Sequence, residues 1–265
     1  MIKPVNDDFE LIIKHLPAND NIKVIPIADL HIAAKNSMRK KFISFIDKLA
    51  KEPNTYITLD GDLLNNAIKD SISFSYDDDM TPNQEKIWIS NQLEKVTDKI
   101  LMAVPGNHEF RSHKNCDGRL IEDICTNLGL RDIYRENMAF LKLQIGDIKG
   151  QGSRNPTYTI GQVHGAGGGG TFGAAVNRNV NFAYTFDGLD ALITAHFHKG
   201  FVVKPARLVI DKHNNKVTQQ TFACVGLTSW LMYGGYALRA MMRPASNDIQ
   251  TLYLYGNHKQ IETRW

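Results

Sequence analysis

The chain has 265 residues, 43% of them apolar and 22% charged, a composition that can fill a sizeable core and excludes intrinsic disorder. Thirty-one Lys and Arg against 28 Asp and Glu leave a net charge of +3. That bias is too weak to announce a dedicated nucleic-acid binder and does not exclude an anionic partner. Three widely spaced cysteines, Cys116, Cys125 and Cys224, match no zinc knuckle and read as reduced thiols, so a cytoplasmic setting is expected.

The first ten residues carry Asp7, Asp8 and Glu10 and no apolar segment of a secretory signal. Phe9, Leu11, Ile12, Ile13 and Leu16 are spaced as one face of a short opening helix that Pro17 would stop. Residues 22–28 form an apolar run with β-branched members, the pattern of a buried strand. Over 37–51, Met38, Phe42, Ile43, Phe45, Ile46 and Leu49 share a helical face with lysines opposite. Residues 55–59 predict a second buried strand, and the polar stretch 70–83, with Asp77, Asp78 and Asp79, predicts a surface insertion with a solvated tip.

Helical spacing returns over 84–98, a third short strand over 100–104 ends at Pro105-Gly106, and 118–130 predicts a helix closed by Gly129. From there the pattern is mostly strand: 139–145, 158–163, 191–194, 201–210, 216–225 and 249–255, with a hairpin turn at His213-Asn214-Asn215. The most apolar stretch, 223–238, is broken by Gly226, Gly234 and Gly235 and falls short of the roughly 20 residues of a membrane span, so no membrane partner is expected. Alternating strand and helix followed by strands predicts an α/β sandwich, two packed sheets with helices on the outer faces. One domain over 1–265 is expected, with a ligand-bearing core at 22–200 and a mostly strand part at 201–265.

Each predicted strand of the core ends on residues that ligate metals. The ends read Asp29-Leu30-His31, Asp60-Gly61-Asp62, Gly106-Asn107-His108-Glu109, Val163-His164-Gly165 and Ala195-His196-Phe197-His198. Ligands gather beyond the carboxyl ends of strands in α/β sheets, so these ends are expected to converge. Residues two apart in an extended segment point the same way, which pairs Asp29 with His31 and His196 with His198. Carboxylate, imidazole and amide oxygen together suit Mn²⁺, Fe²⁺, Co²⁺, Zn²⁺ or Ni²⁺. Asp29, His31, Asp62, Asn107, His164, His196 and His198 are more ligands than one four-coordinate ion needs, and two ions sharing a carboxylate account for them.

The series D-x-H, G-D-x-x-N, G-N-H-E, a lone H and H-x-H resembles the calcineurin-like metallophosphoesterases, in order over Asp29 to His198, about two thirds of the chain. The resemblance implies a two-sheet sandwich with a dinuclear centre, Mn²⁺ being the first choice. Asp29, His31, Asp62 and His198 would hold one ion, and Asp62, Asn107, His164 and His196 the other, with Asp62 bridging. His108 matches the family's non-ligand histidine, a phosphate contact and general acid; a metal-bridging hydroxide would attack phosphorus in line.

Departures narrow the expectation. Ala195 replaces the glycine of the family's last block, a small change. Asn65 and Asn66 stand where phosphoprotein phosphatases carry an aspartate and a phosphate-gripping arginine, which turns the reading toward the branch of nucleases and small phosphodiesterases. A phosphodiesterase or nuclease is therefore expected, with a small-molecule phosphomonoesterase as the alternative and a non-catalytic protein-binding scaffold a distant third. The partner would be a phosphoester, including nucleic acid or a nucleotide, with Asn65, Asn66 and Gly165 as candidate contacts.

Other conspicuous residues have plainer readings. Gly256-Asn257-His258 repeats the G-N-H triplet after the last block, with Lys259 in the place of Glu109, and reads as a terminal turn. Asp60 reads as a backbone-capping carboxylate, and His15, His113 and His213 as solvated. The run Gly165 to Gly170 is either a cradle of backbone N–H groups for phosphate or, the favoured reading, a flexible loop. Arg154, Tyr158, Arg178 and Arg207 are candidate contacts to an anionic substrate or ordinary surface groups.

Overall fold

The computed structural model describes residues 7–17, 21–69, 71, 78–146, 155–167 and 171–265. In chain order the first elements are β1 (Leu11–Leu16), β2 (Ile22–Ile27), α1 (Arg39–Leu49), β3 (Thr55–Asp60), α2 (Pro82–Leu93), β4 (Ile100–Val104), α3 (Asn107–Cys116), α4 (Leu120–Asn127) and β5 (Ala139–Ile145). There follow β6 (Thr157–Val163), α5 (Phe172–Ala183), β7 (Ala191–Thr194), β8 (Phe201–Val203), β9 (Ala206–Asp211), β10 (Lys216–Thr221), β11 (Ala223–Gly226), α6 (Tyr236–Arg239), β12 (Thr251–Leu254) and β13 (Ile261–Arg264). Among the described residues no helix is long and apolar enough to cross a membrane.

The strands form a six-stranded sheet ordered β1-β5-β6-β7-β11-β8, a five-stranded sheet ordered β13-β12-β2-β3-β4, and the separate β9–β10 hairpin. One core joins the two large sheets: Val24, Ile57, Leu59 and Met102 from the smaller meet Leu141, Leu143, Tyr158, Ile160, Ile193 and Val225 from the larger. Helices α1, α2 and α4 add Phe42, Ile46, Ile89, Leu93, Ile121 and Ile124 to it. Strand alternation builds a second core on the other face of the large sheet. Ala191 and Ile193 of β7 face inward, while Leu192, with Cys224 of β11, packs outward against Ala175 and Ala183 of α5. The expected sandwich is present.

The pairing also decides where the ligand-bearing ends lie. β2, β3 and β4 are mutually parallel, as are β6, β7 and β11, so within each sheet the carboxyl ends emerge together. Gln162 of β6 donates to the Leu59 carbonyl of β3 at 2.7 Å, a buried bond between the sheets just before those ends.

Several expected elements differ. The opening segment is a strand, not a helix: β1 pairs in parallel with β5 and buries only Ile12 of its first three residues, so an edge pairing made across the chain overrides the local spacing. The run 201–210 breaks at Pro205, which lacks an N–H, into β8 and β9, and 216–225 divides at Phe222 into β10 and β11. Helices α3 and α5 and strand β13 had no expected counterpart. α2 starts at Pro82, capped by the Thr81 hydroxyl and the Gln84 side chain, inside the stretch expected as insertion. The hairpin turn is present where expected, with Asp211 accepting from the N–H groups of His213 and Asn214. Cys116, Cys125 and Cys224 are free thiols.

Candidate metal centre

Two glycines let the ligand loops meet. Gly61 has φ +74°, and a Cβ there would strike the backbone of Gly106 and Pro105. A Cβ on Gly106 would strike the Asp62 carboxylate and backbone nitrogen, so neither position has room for a side chain. The backbone of the ligands is itself unusual. Asp29, His31, Asp62, His196 and His198 all have φ between +42° and +69°, the left-handed region. The extended two-residue alternation expected at these ends is therefore absent, and each pair converges through left-handed turns.

Two buried carboxylates hold the loop after β3. Glu109, at the third position of α3, accepts from the N–H groups of Gly106, Asp62 and Leu64 at 2.8, 2.9 and 3.0 Å. Glu85 of α2 accepts from Asn65 and Asn66 at 2.5 and 2.9 Å. Burial, with the charge of Asp62 added, pushes Glu109 up to about 7, and burial pushes Glu85 up to about 8 against the pull of its backbone donors. Sequence reasoning left the role of Glu109 undecided and did not find Glu85, because neither touches a ligand side chain.

The expected ligand atoms come together in two groups joined by a third. Asp29, His31 and His198 form one close triad and Asp62, His164 and His196 another, with a third of His31, Asp62 and His108 between them. Asp29 Oδ1 lies 3.2 Å from His198 Nε2 and 3.8 Å from His31 Nε2, whose own distance from His198 Nε2 is 3.4 Å. On the other side Asn107 Oδ1 stands 2.6 Å from His196 Nδ1 and 3.2 Å from His164 Nε2, and Asp62 Oδ2 is 3.3 Å from His164 Nε2. His164 Nδ1 donates to the Asp60 carbonyl at 2.6 Å, which turns Nε2 into the cluster.

These donors suit a cation. Asp29 Oδ1 and His31 Nδ1 are buried with no hydrogen-bond partner, a cost that a metal ion on the carboxylate would relieve. Burial opposes a charged imidazole at His164, yet the charges of Asp62 and Asp29 hold its pKa well above the ordinary range. Asp62 is held well below the carboxylate range: burial would raise it, but His164 and His108 outweigh that. The cluster draws positive charge to itself, and divalent ions bound there would supply it. Asn107, His196 and His198 are the more accessible members, so the site opens on their side.

The model of the calcineurin-like phosphoesterase family matches residues 22–200, more than half of the chain and the whole ligand set. The chain belongs to this family. It is a metal-dependent phosphoester hydrolase. No curated protein matches it significantly. Among solved structures it is similar to a conserved uncharacterised protein from Streptococcus pneumoniae described as a predicted phosphoesterase, at 12% identity and TM-score 0.33 over 92% of this chain and 98% of that one. It is also similar to a metallophosphoesterase from Sphaerobacter thermophilus, at 13% identity and TM-score 0.41 over 88% and 83% of the two chains.

The remaining candidates of this phosphoesterase fall on either side of the site. His108 is the second residue of α3, not a strand end, and its Nε2 is 3.8 Å from Asp62 Oδ2. Asn66 is wholly buried: its Nδ2 donates to the His108 carbonyl at 2.6 Å and its Oδ1 accepts from Ser112 Oγ at 3.0 Å, so it braces α3. Asn65 donates through Nδ2 to both oxygens of Asp78, at 2.8 and 2.9 Å. Asp78 is thus no solvated tip but an acidic group at the site's edge, while Asp79 pairs with Arg39 and Asp77 lies outside the described residues. Gly165 has φ +97° beside Ala195 and His196; Gly168 to Gly170 lie outside the described residues.

Asp60 caps nothing: both its oxygens are buried without partners, and burial raises its pKa well above the usual value. Tyr158 is fully buried, its hydroxyl bound to the 255–260 turn; Arg207 donates to Phe186 and Leu189 carbonyls, and Arg178 to that of Ala166. Arg154 lies outside the described residues. His15 meets the Gly146 carbonyl and His113 pairs with Asp117 and Glu136, so neither is merely solvated; His213 is exposed. Arg111 was missed, because its place beside His108 depends on α3 being a helix: its Nη2 is 2.9 Å from His108 Nε2.

Proposed function

We propose that this phosphoesterase is a dinuclear hydrolase of phosphodiesters, with a nucleic acid or nucleotide as substrate and Mn²⁺ as the first-choice metal. Asp29, His31, Asp62 and His198 hold one ion, and Asp62, Asn107, His164 and His196 the other. Bound there, divalent ions supply Lewis acidity and lower the pKa of a coordinated water. His108 borders the shared carboxylate Asp62 and meets the phosphate from the open side, where it stabilises or protonates the leaving oxygen. Glu109 and Glu85 keep the Asp62 loop in register.

The observation that carries the diester reading is the pairing of Asn65 with Asp78. A phosphomonoester near neutral pH carries between one and two negative charges, a diester one. A carboxylate at the site's edge opposes the second charge. Metal-reconstituted protein should therefore turn over bis(p-nitrophenyl) phosphate, a cyclic nucleotide or single-stranded DNA faster than p-nitrophenyl phosphate. Turnover of monoesters alone would overturn the diester assignment.

A further inference from the structure

The two amides expected to meet the substrate are both engaged elsewhere, Asn65 with Asp78 and Asn66 with α3. The guanidinium that does reach the site belongs to Arg111, three residues after His108 and therefore beside it on the helix. Its Nη1 donates to the Asn65 carbonyl at 3.1 Å, and its Nη2 lies 2.9 Å from His108 Nε2. His108 Nδ1 bonds the same Asn65 carbonyl at 2.7 Å. A carbonyl only accepts, so Nδ1 bears the hydrogen and Nε2 offers its lone pair to Arg111. That Nε2 is the atom 3.8 Å from Asp62 Oδ2, so the guanidinium stands next to the imidazole edge that borders the metal cluster. Burial lowers the pKa of Arg111, and the charges of Asp62, Glu109, Asp78 and Glu85 oppose that shift.

We propose that Arg111 is a substrate-binding residue that grips the phosphate beside His108. The proposal rests on the phosphoesterase reading of the site. A guanidinium presents paired N–H donors in a plane that matches two oxygens of one phosphate, and a lysine does not. A phosphoryl group placed beside His108 would be within reach of that fork, which then exchanges its bond to His108 Nε2 for a charged oxygen and leaves Nε2 free to carry the proton that a general acid gives.

The test compares metal-loaded wild type with Arg111→Ala and Arg111→Lys. Binding of inorganic phosphate is measured by calorimetry, metal content by elemental analysis, and turnover with bis(p-nitrophenyl) phosphate. Arg111→Ala should keep its metal, weaken phosphate binding about 10-fold or more, as loss of a charge-assisted hydrogen bond does, and raise KM. Arg111→Lys should recover less than half of the loss. Unchanged phosphate affinity in Arg111→Ala, loss of metal from it, or full recovery by Arg111→Lys would each overturn the proposal. Wild type that binds metal and phosphate but hydrolyses no phosphoester would instead reject the enzymatic reading, and the phosphate titration would still judge Arg111.

Discussion

Gly106-Asn107-His108 and Gly256-Asn257-His258 are the same three residues after a strand, β4 in one case and β12 in the other, and they do opposite things. The first copy starts α3: Glu109 returns to the Gly106 N–H, Asn107 points its oxygen at His164 and His196, and His108 reaches Asp62. In the second, Lys259 replaces Glu109 and pairs with Asp190 at 2.7 Å, so no carboxylate returns to start a helix. The chain turns back into β13, and His258 spends its ring nitrogens on Asn257 and Gln260. The turn is clasped by the buried hydroxyl of Tyr158, near the carbonyls of Tyr255, His258 and Gln260 at 2.7, 3.1 and 3.1 Å. The triplet carries no chemistry by itself; the residue that follows it and the groups opposite it decide.

The contrast can be broken first at Asp62, the carboxylate proposed to bridge the two ions and bordered by His108 of the first copy. Asp62→Asn should release both ions and abolish turnover, seen by metal analysis of the reloaded variant; a retained tight pair would show that the carboxylate is not shared. Next comes His108→Asn, expected to keep the metal and lower kcat by roughly 10²–10⁴. The loss should shrink on nitrophenyl esters, whose leaving groups need little protonation. An equal loss on poor and good leaving groups would make His108 a positioning group only.

Glu109 distinguishes the copies, and its pH behaviour has a definite sign. Because its folded pKa is raised from 4.5 to about 7, the folded state keeps a proton that the unfolded state has lost. This group therefore lowers stability as pH rises from about 4.5 through about 7. Glu109→Gln loses an acceptor and should unfold earlier than wild type, with a deficit largest near pH 5 and smaller at pH 8. Thermal unfolding of metal-free protein at the two values checks this, and a deficit that grows with pH would contradict it.

The second copy should respond in stability alone. Tyr158→Phe removes the hydroxyl that donates to the Tyr255 carbonyl and accepts from the Gln260 N–H, and should cost about 1 kcal/mol in denaturant unfolding while the folded fraction keeps full turnover. His258→Ala, which removes only an exposed ring, should change stability by no more than about 0.5 kcal/mol and leave kcat unchanged. A loss of turnover in either variant would place the second triplet in the active site.

Much of the site was legible in the chain because metal ligands are few in kind and must follow strand ends in a workable order. Asp29, His31, Asp62, Asn107, His164, His196 and His198, which the folded chain brings together, could be picked out as candidate ligands without coordinates. The sequence did not reveal how those ligands point, because five of them adopt left-handed φ, a conformation that Asp and His tolerate but that local sequence does not specify. Nor did it show α5, whose buried face is made of Ala175, Asn179 and Ala183, residues too small or too polar to mark an apolar period. The strand fate of β1 was settled by β5, more than a hundred residues away. Arg111 and Asp78 reached the site only through tertiary structure, the first by the helix that carries it past His108 and the second by a bond to Asn65. Ligand identity is a property of side chains and can be read locally. The charge, register and access that turn ligands into a site depend on contacts between distant segments, and only the folded chain makes them.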